Sequence, residues 1–325
     1  MSFAISVITP VHNVKKFIGK CAESLLSQTF SDVEYIFIDD FSTDGSIDIL
    51  KSVINNHPDK NVRIIHHPEN RGLPSSRKTG FEASTGKYIF NCDGDDFVEL
   101  TLLEKMYKAV SETDADYAYC DFYLSYEQSE RYMKCPYFAT PDEALRIGYL
   151  SGTAKYNVWN KLIRKELYEG VVFPVDHKKG GEDLIMLGIL SKARTIAYVP
   201  EALYHYVKTN TSAISENFSE QRLIDIRYNA DAAINVLRAT YPADLEKEIA
   251  FFKLNVKLPF IITDDPIKYD VWKNWYPEAN AYIWQNDSQS FRNKLVQSMA
   301  AKGWFWAVKL YFIFVYKLVY RTLYK

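Results

Sequence analysis

At 325 residues the chain is long enough for one large domain with an appendage, or for two domains, and either can bury a substantial core. A composition of 47% hydrophobic and 25% charged residues, with 13 Gly and 12 Pro, excludes a collagenous, low-complexity or wholly disordered chain. Net charge is -2, from 39 basic and 41 acidic residues, which gives no electrostatic case for nucleic-acid binding, while 15% aromatic content with 24 Tyr suits stacking surfaces or a half-wet interface.

Four widely spaced cysteines, Cys21, Cys92, Cys120 and Cys135, form no CxxC pair, so neither a zinc site nor a disulfide framework is indicated and a reduced, cytoplasmic setting is expected. The opening MSFAISVITPVHN lacks a basic n-region and reads as a strand rather than a secretory signal.

Short β-rich apolar runs then alternate with helical patterns. Ala4–Thr9 reads as a buried strand, Val14–Ser27 as a helix, Val33–Asp39 as a strand, residues 46–54 as a helix, Val62–His66 as a strand, Ser75–Ala83 as a short helix and Tyr88–Asn91 as a strand. This β-α-β-α-β-α-β order predicts an α/β fold, a Rossmann-like and mostly parallel sheet flanked by helices, with ligands beyond the carboxyl ends of its strands. A helix at Leu102–Glu112, a strand at Tyr117–Tyr123, a helix near Pro141–Leu150 and short strands at Trp159–Ile163 and Thr195–Val199 follow. Beyond an amphipathic helix at 219–238 the pattern is mainly helical to Ser298. The expected division is a catalytic domain at 1–215, a helical region at 216–301 and a basic aromatic helix at 302–325.

Two acidic clusters fall at the same sheet edge. Asp39-Asp40 closes the second strand and Asp93-Gly94-Asp95-Asp96 the fourth. Asp and Asn favour strand-to-helix turns, so a lone cluster is ordinarily a cap. Two at one edge point further: an Asp-x-Asp supplies hard oxygen ligands for Mg2+ or Mn2+ bridging a diphosphate, and Asp39 can accept from a base N–H or a ribose hydroxyl. A third pair, Glu182-Asp183, follows Gly180-Gly181 at a helix start, where it serves as a first-turn acid or as a general base toward an attacking hydroxyl. No GxGxxG follows the first strand and no GxxxxGK[ST] occurs, which leaves dinucleotide and P-loop folds unsupported.

The segments ISVITPVHN, YIFIDDFSTDGS, ENRGLPSSRKTGFEASTGKYIFNCDGDD, NVWNKLIRKEL and GGEDLIM, in this order over roughly residues 3–215, resemble the family 2 glycosyltransferases, nucleotide-sugar-dependent enzymes of the GT-A fold. The resemblance implies that Thr9, Pro10 and Val11 lie along the nucleotide, that Asp39 contacts the base, and that Asp93 and Asp95 form the metal- and ribose-binding Asp-x-Asp. It makes Asp183 the catalytic base with Glu182 beside it, and lines the acceptor side with Trp159, Asn160 and Lys161. Arg77 stands where the family often has Ala-Arg-Asn, but here the segment reads Ser76-Arg77-Lys78. Lys208, and less so His205, are candidates to reach the diphosphate after metal binding. The implied reaction is inverting transfer of a sugar from a nucleoside-diphosphate sugar, a UDP-sugar, to a saccharide acceptor that is lipid-linked, in cell-surface polysaccharide synthesis. The rival readings are a catalytically inactive nucleotide-sugar or saccharide binder of the same fold, and a phosphoryl-transfer enzyme, which would need a phosphate-cradling loop that is absent.

Residues 302–325 carry five basic and no acidic residues, leaving 34 basic against 41 acidic, or -7, for residues 1–301. Nine of the 24 are aromatic. Lys309 and Lys317 interrupt the apolar run, so a membrane span is not expected. At helical spacing Lys302, Lys309, Lys317, Arg321 and Lys325 fall within an arc of about 160°, with aromatic and aliphatic residues over much of the rest. The pattern predicts a helix lying in an anionic membrane surface, against the alternatives of a terminal helix packed on the protein or a dimer contact.

Overall fold

The computed structural model describes residues 3–175, 181–208, 219–241 and 244–315. The chain divides into two compact units: residues 1–141 with 156–233, and residues 142–155 with 234–325. Segment 142–155 thus belongs by its packing to the second unit, although it interrupts the first in sequence.

The first unit is built on one nine-stranded sheet in the order β3-β2-β1-β4-β8-β6-β9-β5, with β7 on the other side of β6. Its strands are β1 (Ile5–Val11), β2 (Val33–Asp39), β3 (Asn61–His66), β4 (Tyr88–Asn91), β5 (Phe97–Val98), β6 (Tyr117–Ser125), β7 (Glu130–Met133), β8 (Lys161–Arg164) and β9 (Ile196–Val207). The half from β3 to β4 is parallel; β8 then pairs antiparallel with both β4 and β6. Helices α1 (Ile18–Leu26), α2 (Ser46–Asn55) and α3 (Leu73–Ala83) make the crossovers, and α4 (Leu102–Thr113) packs on β6 and β9. Strand β2 is buried along its whole length, including Glu34. That carboxylate is sustained by Ser6 Oγ at 2.6 Å and Arg63 Nη2 at 2.6 Å, so a charged residue sits inside an otherwise apolar strand.

Strand β9 runs eight residues beyond the expected Val199. Pro200 and Glu201 break the pattern, and the register against β6 slips there, Cys120 facing Val199 while Asp121 faces Ala202. A bulge absorbs the proline and the strand resumes. This extension brings Tyr204, Tyr206 and Lys208 to the acidic edge. Strands β5 and β7, two and four residues long, are too short to announce themselves by alternation.

The second unit is helical. After α5 (Pro141–Glu143) come a π-helical stretch at Ala144–Leu150, α6 (Glu182–Leu190) and α7 (Glu220–Thr240); α6 lies in the first unit, and α7 runs from the first unit into the second. Then follow α8 (Glu246–Lys257), α9 (Pro266–Asn274), α10 (Phe291–Ala301) and α11 (Phe305–Phe312). Asn255 Nδ2 donates to Leu150 O at 2.9 Å and Asn286 Nδ2 to Ser151 O at 3.1 Å, which stitches segment 142–155 to the helices of its own unit. No described helix is long and apolar enough to cross a membrane.

Candidate active site

Parallel register sets the carboxyl ends of β1, β2 and β3 level, with Val11 opposite Asp39 and Asp39 opposite His66. Of the first predicted segment, Val11 and Thr9 are sealed in the sheet and Pro10 is half-buried. Of these three side chains only Pro10 is within reach of solvent. The Thr9 hydroxyl has no partner.

Asp39 Oδ1 accepts from Ser42 N–H at 2.9 Å, and its Oδ2 lies 2.8 Å from His66 Nδ1. Burial pushes this carboxyl upward, but the Ser42 and His66 interactions outweigh it and hold the group below its ordinary range. Its neighbour Asp40 turns the other way. Asp40 accepts from the N–H groups of Arg71 and Gly72, each at 2.8 Å, and pairs with His67 at 2.8 Å, whose far nitrogen lies 2.9 Å from Thr79 Oγ1. Asp40 thus clamps the loop that starts α3, the helix carrying Arg77.

Arg77 is the joint of the site. It is 2% exposed, with Nη2 donating to Asp93 Oδ1 at 3.0 Å and Nη1 2.9 Å from Glu182 Oε1. Burial works against its charge, yet Asp93 and Glu182 more than offset it and raise its pKa. Its Nε has no hydrogen-bond partner among the described residues, and Arg77 lines a cavity of about 10 Å³ together with Asn91, Tyr168 and apolar side chains. A single buried cation thereby joins the Asp-x-Asp turn to the start of α6.

The Asp-x-Asp turn needs its glycine. A Cβ on Gly94 would stand 2.7 Å from the Pro10 carbonyl oxygen, so only glycine lets the turn pass this close to β1. Within the cluster the carboxylates divide. Asp93 and Asp95 are partly exposed, whereas Asp96 is 1% exposed, accepting from the Tyr204 hydroxyl at 2.6 Å and from Val207 N–H at 2.8 Å. Burial, then the charges of Asp95 and Asp93, push the Asp96 pKa well up.

At the third cluster, Gly181 has φ 87°, and a Cβ there would meet Pro174 at 2.3 Å. Residues 176–180, including Gly180, lie outside the described residues. Burial raises the Glu182 carboxyl, against the pull of Arg77. Asp183 is pushed up to about 6 by burial, which the N–H of Leu184 opposes and the charge of Glu182 reinforces. A carboxylate in that range is deprotonated near neutral pH and basic enough to take a hydroxyl proton.

The model of Glycosyl transferase family 2 matches residues 6–183, more than half of the chain and the stretch holding all three acidic clusters. The chain belongs to glycosyltransferase family 2. It is 30% identical over 222 residues to an uncharacterized glycosyltransferase, EpsJ, of Bacillus subtilis, covering 65% of this chain and 63% of that protein. To the glycosyltransferase GlyG of Streptococcus pneumoniae it is 29% identical over 230 residues, covering 67% and 75%. The match thus spans less than two thirds of the first relative's length. Among solved structures, S. aureus TarS 1-349 in complex with UDP superposes with TM-score 0.66 at 19% identity, covering 98% of this chain and 92% of that one. The mannosyltransferase PcManGT of Pyrobaculum calidifontis, in complex with GDP-Man and Mn2+, superposes with TM-score 0.54 at 15% identity over 96% and 84%. The fold is the GT-A type.

In this family 2 chain the acceptor-side trio is mostly inward. Trp159, 6% exposed, stacks on Tyr204 at 4.4 Å and Tyr206 at 5.3 Å, edge-on to Phe122. Asn160 Nδ2 donates to Cys120 O at 2.6 Å, and Lys161 Nζ donates to Asn160 Oδ1 at 2.9 Å and to Asn157 O. Burial lowers the Lys161 ammonium to about 8. Asn160 and Lys161 are thus buried and bonded to protein groups, as polar heads at this depth must be.

His205 is not available to a diphosphate. It is 4% exposed, with Glu99 and Glu130 each 2.8 Å from one of its ring nitrogens and Phe97 and Tyr123 stacked on its faces. Lys208 is exposed, its ammonium 4.4 Å from the Tyr206 ring centre, at the last described residue before the 209–218 segment, which holds Thr211 and Ser212. Asp40 and Asp96 fall within the acidic clusters of the sequence but carry no role of their own there, and neither do His66 and Tyr204. Doubling of the Asp at 39–40 and 95–96 was the visible signal for two of them; His66 and Tyr204 had none, since each is brought in by strand pairing.

Proposed function

We propose that the protein is an inverting glycosyltransferase, moving a sugar from a nucleoside-diphosphate sugar, a UDP-sugar, to a lipid-linked saccharide in cell-surface polysaccharide synthesis. The observation that carries it is one buried arginine holding Asp93 and Glu182 together, with Asp183, raised to about 6, adjacent. The UDP and UDP-GlcNAc complexes of TarS support the choice of donor.

Asp39 would accept from the base and Pro10 flank it. Asp183 takes the proton of the acceptor hydroxyl as its oxygen bonds the anomeric carbon; the bond from that carbon to the diphosphate oxygen breaks on the opposite face, and the nucleoside diphosphate leaves with inversion. Arg77 holds Glu182 and Asp93 in place, and Lys208 lies at the mouth to meet diphosphate charge. Trp159 backs the acceptor side through Tyr206.

The donor set suits a hard divalent cation. Asp96 is buried and bonded to Tyr204 and Val207, which leaves Asp93 and Asp95 as the open carboxylates, and no group of three or more His, Cys, Asp or Glu able to hold an ion occurs among the described residues. Asp93 and Asp95 would hold Mg2+ or Mn2+ with donor diphosphate and water completing the shell; the Mn2+ in PcManGT supports this. Such a cation offsets charge on the departing diphosphate. The protein would act at the cytoplasmic membrane face, peripherally, through residues 302–325.

The test is nucleoside diphosphate release from nucleotide sugars with Mn2+ and a saccharide acceptor. Asp183→Asn is expected to lower turnover by about 10²- to 10⁴-fold with donor binding intact. Full turnover in that variant removes Asp183 as base; no release by the wild type from any nucleotide sugar it binds sinks the enzymatic reading.

A further inference from the structure

The basic aromatic end of the chain is not absorbed by this chemistry. In the second unit, α11 is anchored along one side. Val308 is fully buried, Phe305 stacks on Tyr269 with ring centres 5.2 Å apart, and the Tyr311 hydroxyl accepts from Arg292 Nε at 2.8 Å. The opposite side is bare. Trp306 is 69% exposed, Leu310 59% and Phe314 63%. At 3.6 residues per turn these three lie within about 80° of one another, with Lys309 at the margin of the same stripe and Lys302 on the turn that precedes the helix. Just before the helix Trp304 is also exposed, with the Lys302 ammonium 4.9 Å from its ring centre.

This differs from the expected division into a basic arc and an apolar remainder. Part of the apolar remainder packs on the unit, as the packed-helix alternative required, and what is left outside is aromatic and basic together. Residues 316–325 lie outside the described residues; in sequence they add Lys317, Arg321 and Lys325 and no acid.

We propose that the stripe of Trp306, Leu310 and Phe314, flanked by Lys302 and Lys309, docks the protein on an anionic lipid surface. This deepens the membrane part of the function proposed above and rests on it for the choice of partner. Rows of exposed large apolar side chains mark contact surfaces, and Trp beside Lys suits the headgroup layer, where rings sit at the apolar boundary and ammonium groups meet phosphates. The partner is anionic because the tail has only basic charges while residues 1–301 sum to -7, so attraction must be local. Lys309 and Lys317 interrupt the apolar run, which favours a stripe lying on the surface over a span.

The test is co-sedimentation of the full chain with vesicles of phosphatidylcholine alone or mixed with phosphatidylglycerol, beside a Trp306→Ser, Leu310→Ser, Phe314→Ser triple variant and a Lys302→Gln, Lys309→Gln double variant. Expected are binding to the anionic vesicles only, weakening at high salt, and a loss of at least about tenfold in the triple variant, since each large apolar side chain withdrawn from water shifts partitioning by about that factor. The double variant is expected to lose less, and thermal melts of both should match the wild type. Equal binding to both vesicle types, no binding, or an unchanged triple variant overturns the proposal. A dimer in lipid-free solution that the triple variant dissolves assigns the stripe to a second copy and overturns it too. Vesicle binding requires no turnover, so a chain that binds vesicles but transfers no sugar fails the function reading alone.

Discussion

Lys161 in the first unit and Lys257 in the second are both deeply buried, and their surroundings differ. Lys161 in the first unit is lowered to about 8 by burial and is held by Asn157 and Asn160, with Glu182 the carboxylate whose charge it feels. Lys257 in the second is lowered to about 7; it donates to Trp275 O at 3.0 Å, Tyr276 O at 3.2 Å and Asn280 Oδ1 at 2.6 Å, and lies over the Trp272 ring. The cost of burying an ammonium is similar in both. In the first unit the cation lies near the acidic edge that holds Glu182; in the second it ties together the carbonyls and amide at the end of one helix and the start of the next.

Three substitutions and two pH titrations test this contrast. The largest effect is expected from Arg77→Met: two carboxylates lose a buried partner, which typically costs about 3–5 kcal/mol, and folded protein should also lose turnover more than donor affinity. Denaturant unfolding and steady-state kinetics check both; turnover that tracks only the folded fraction would make Arg77 no different from Lys257. Next, Lys257→Ala should destabilise by about 2–3 kcal/mol by leaving two carbonyls and an amide unpaired, with turnover per folded molecule unchanged. Loss of specific activity there erases the distinction between the units.

Gly94→Ala sets a methyl against the Pro10 carbonyl and should cost about 1–3 kcal/mol while weakening Mn2+ activation, measured as a shift in the metal midpoint. The gentlest probe is pH. With Asp183 at about 6, transfer should rise as pH climbs through 6 and level above it, because the base works deprotonated. For Lys257 the folded pKa lies below the unfolded one, so between about 7 and the ordinary lysine range unfolding takes up a proton. That contribution to stability grows with rising pH and is lost as pH falls through 7; Lys257→Met should flatten it in thermal melts.

Much of the site was legible because its chemistry is local. Asp39, the Asp93-Gly94-Asp95 turn and Glu182-Asp183 each end a strand or begin a helix, and runs of apolar residues bounded by acids or glycines announce such places. The order of the motifs carried the family, and alternation of strands and helices carried the parallel half of the sheet. Sequence alone also set the imbalance between an acidic body and a basic tail.

Only the tertiary structure decided which of these carboxylates are open and which are buried and bonded. Asp95 and Asp96 are adjacent and chemically alike, yet one faces outward and the other is bound by Tyr204 and Val207, from a strand more than a hundred residues on. Arg77 acquires its role from Asp93 and Glu182, and Asp39 its pairing from His66 on the neighbouring strand. Which side of α11 is bare was likewise set by what Val308 and Phe305 pack against. The reason is common to all: one-dimensional patterns encode which groups lie on an element's faces, while pairing and burial depend on elements distant in the chain, and those set charge state and exposure.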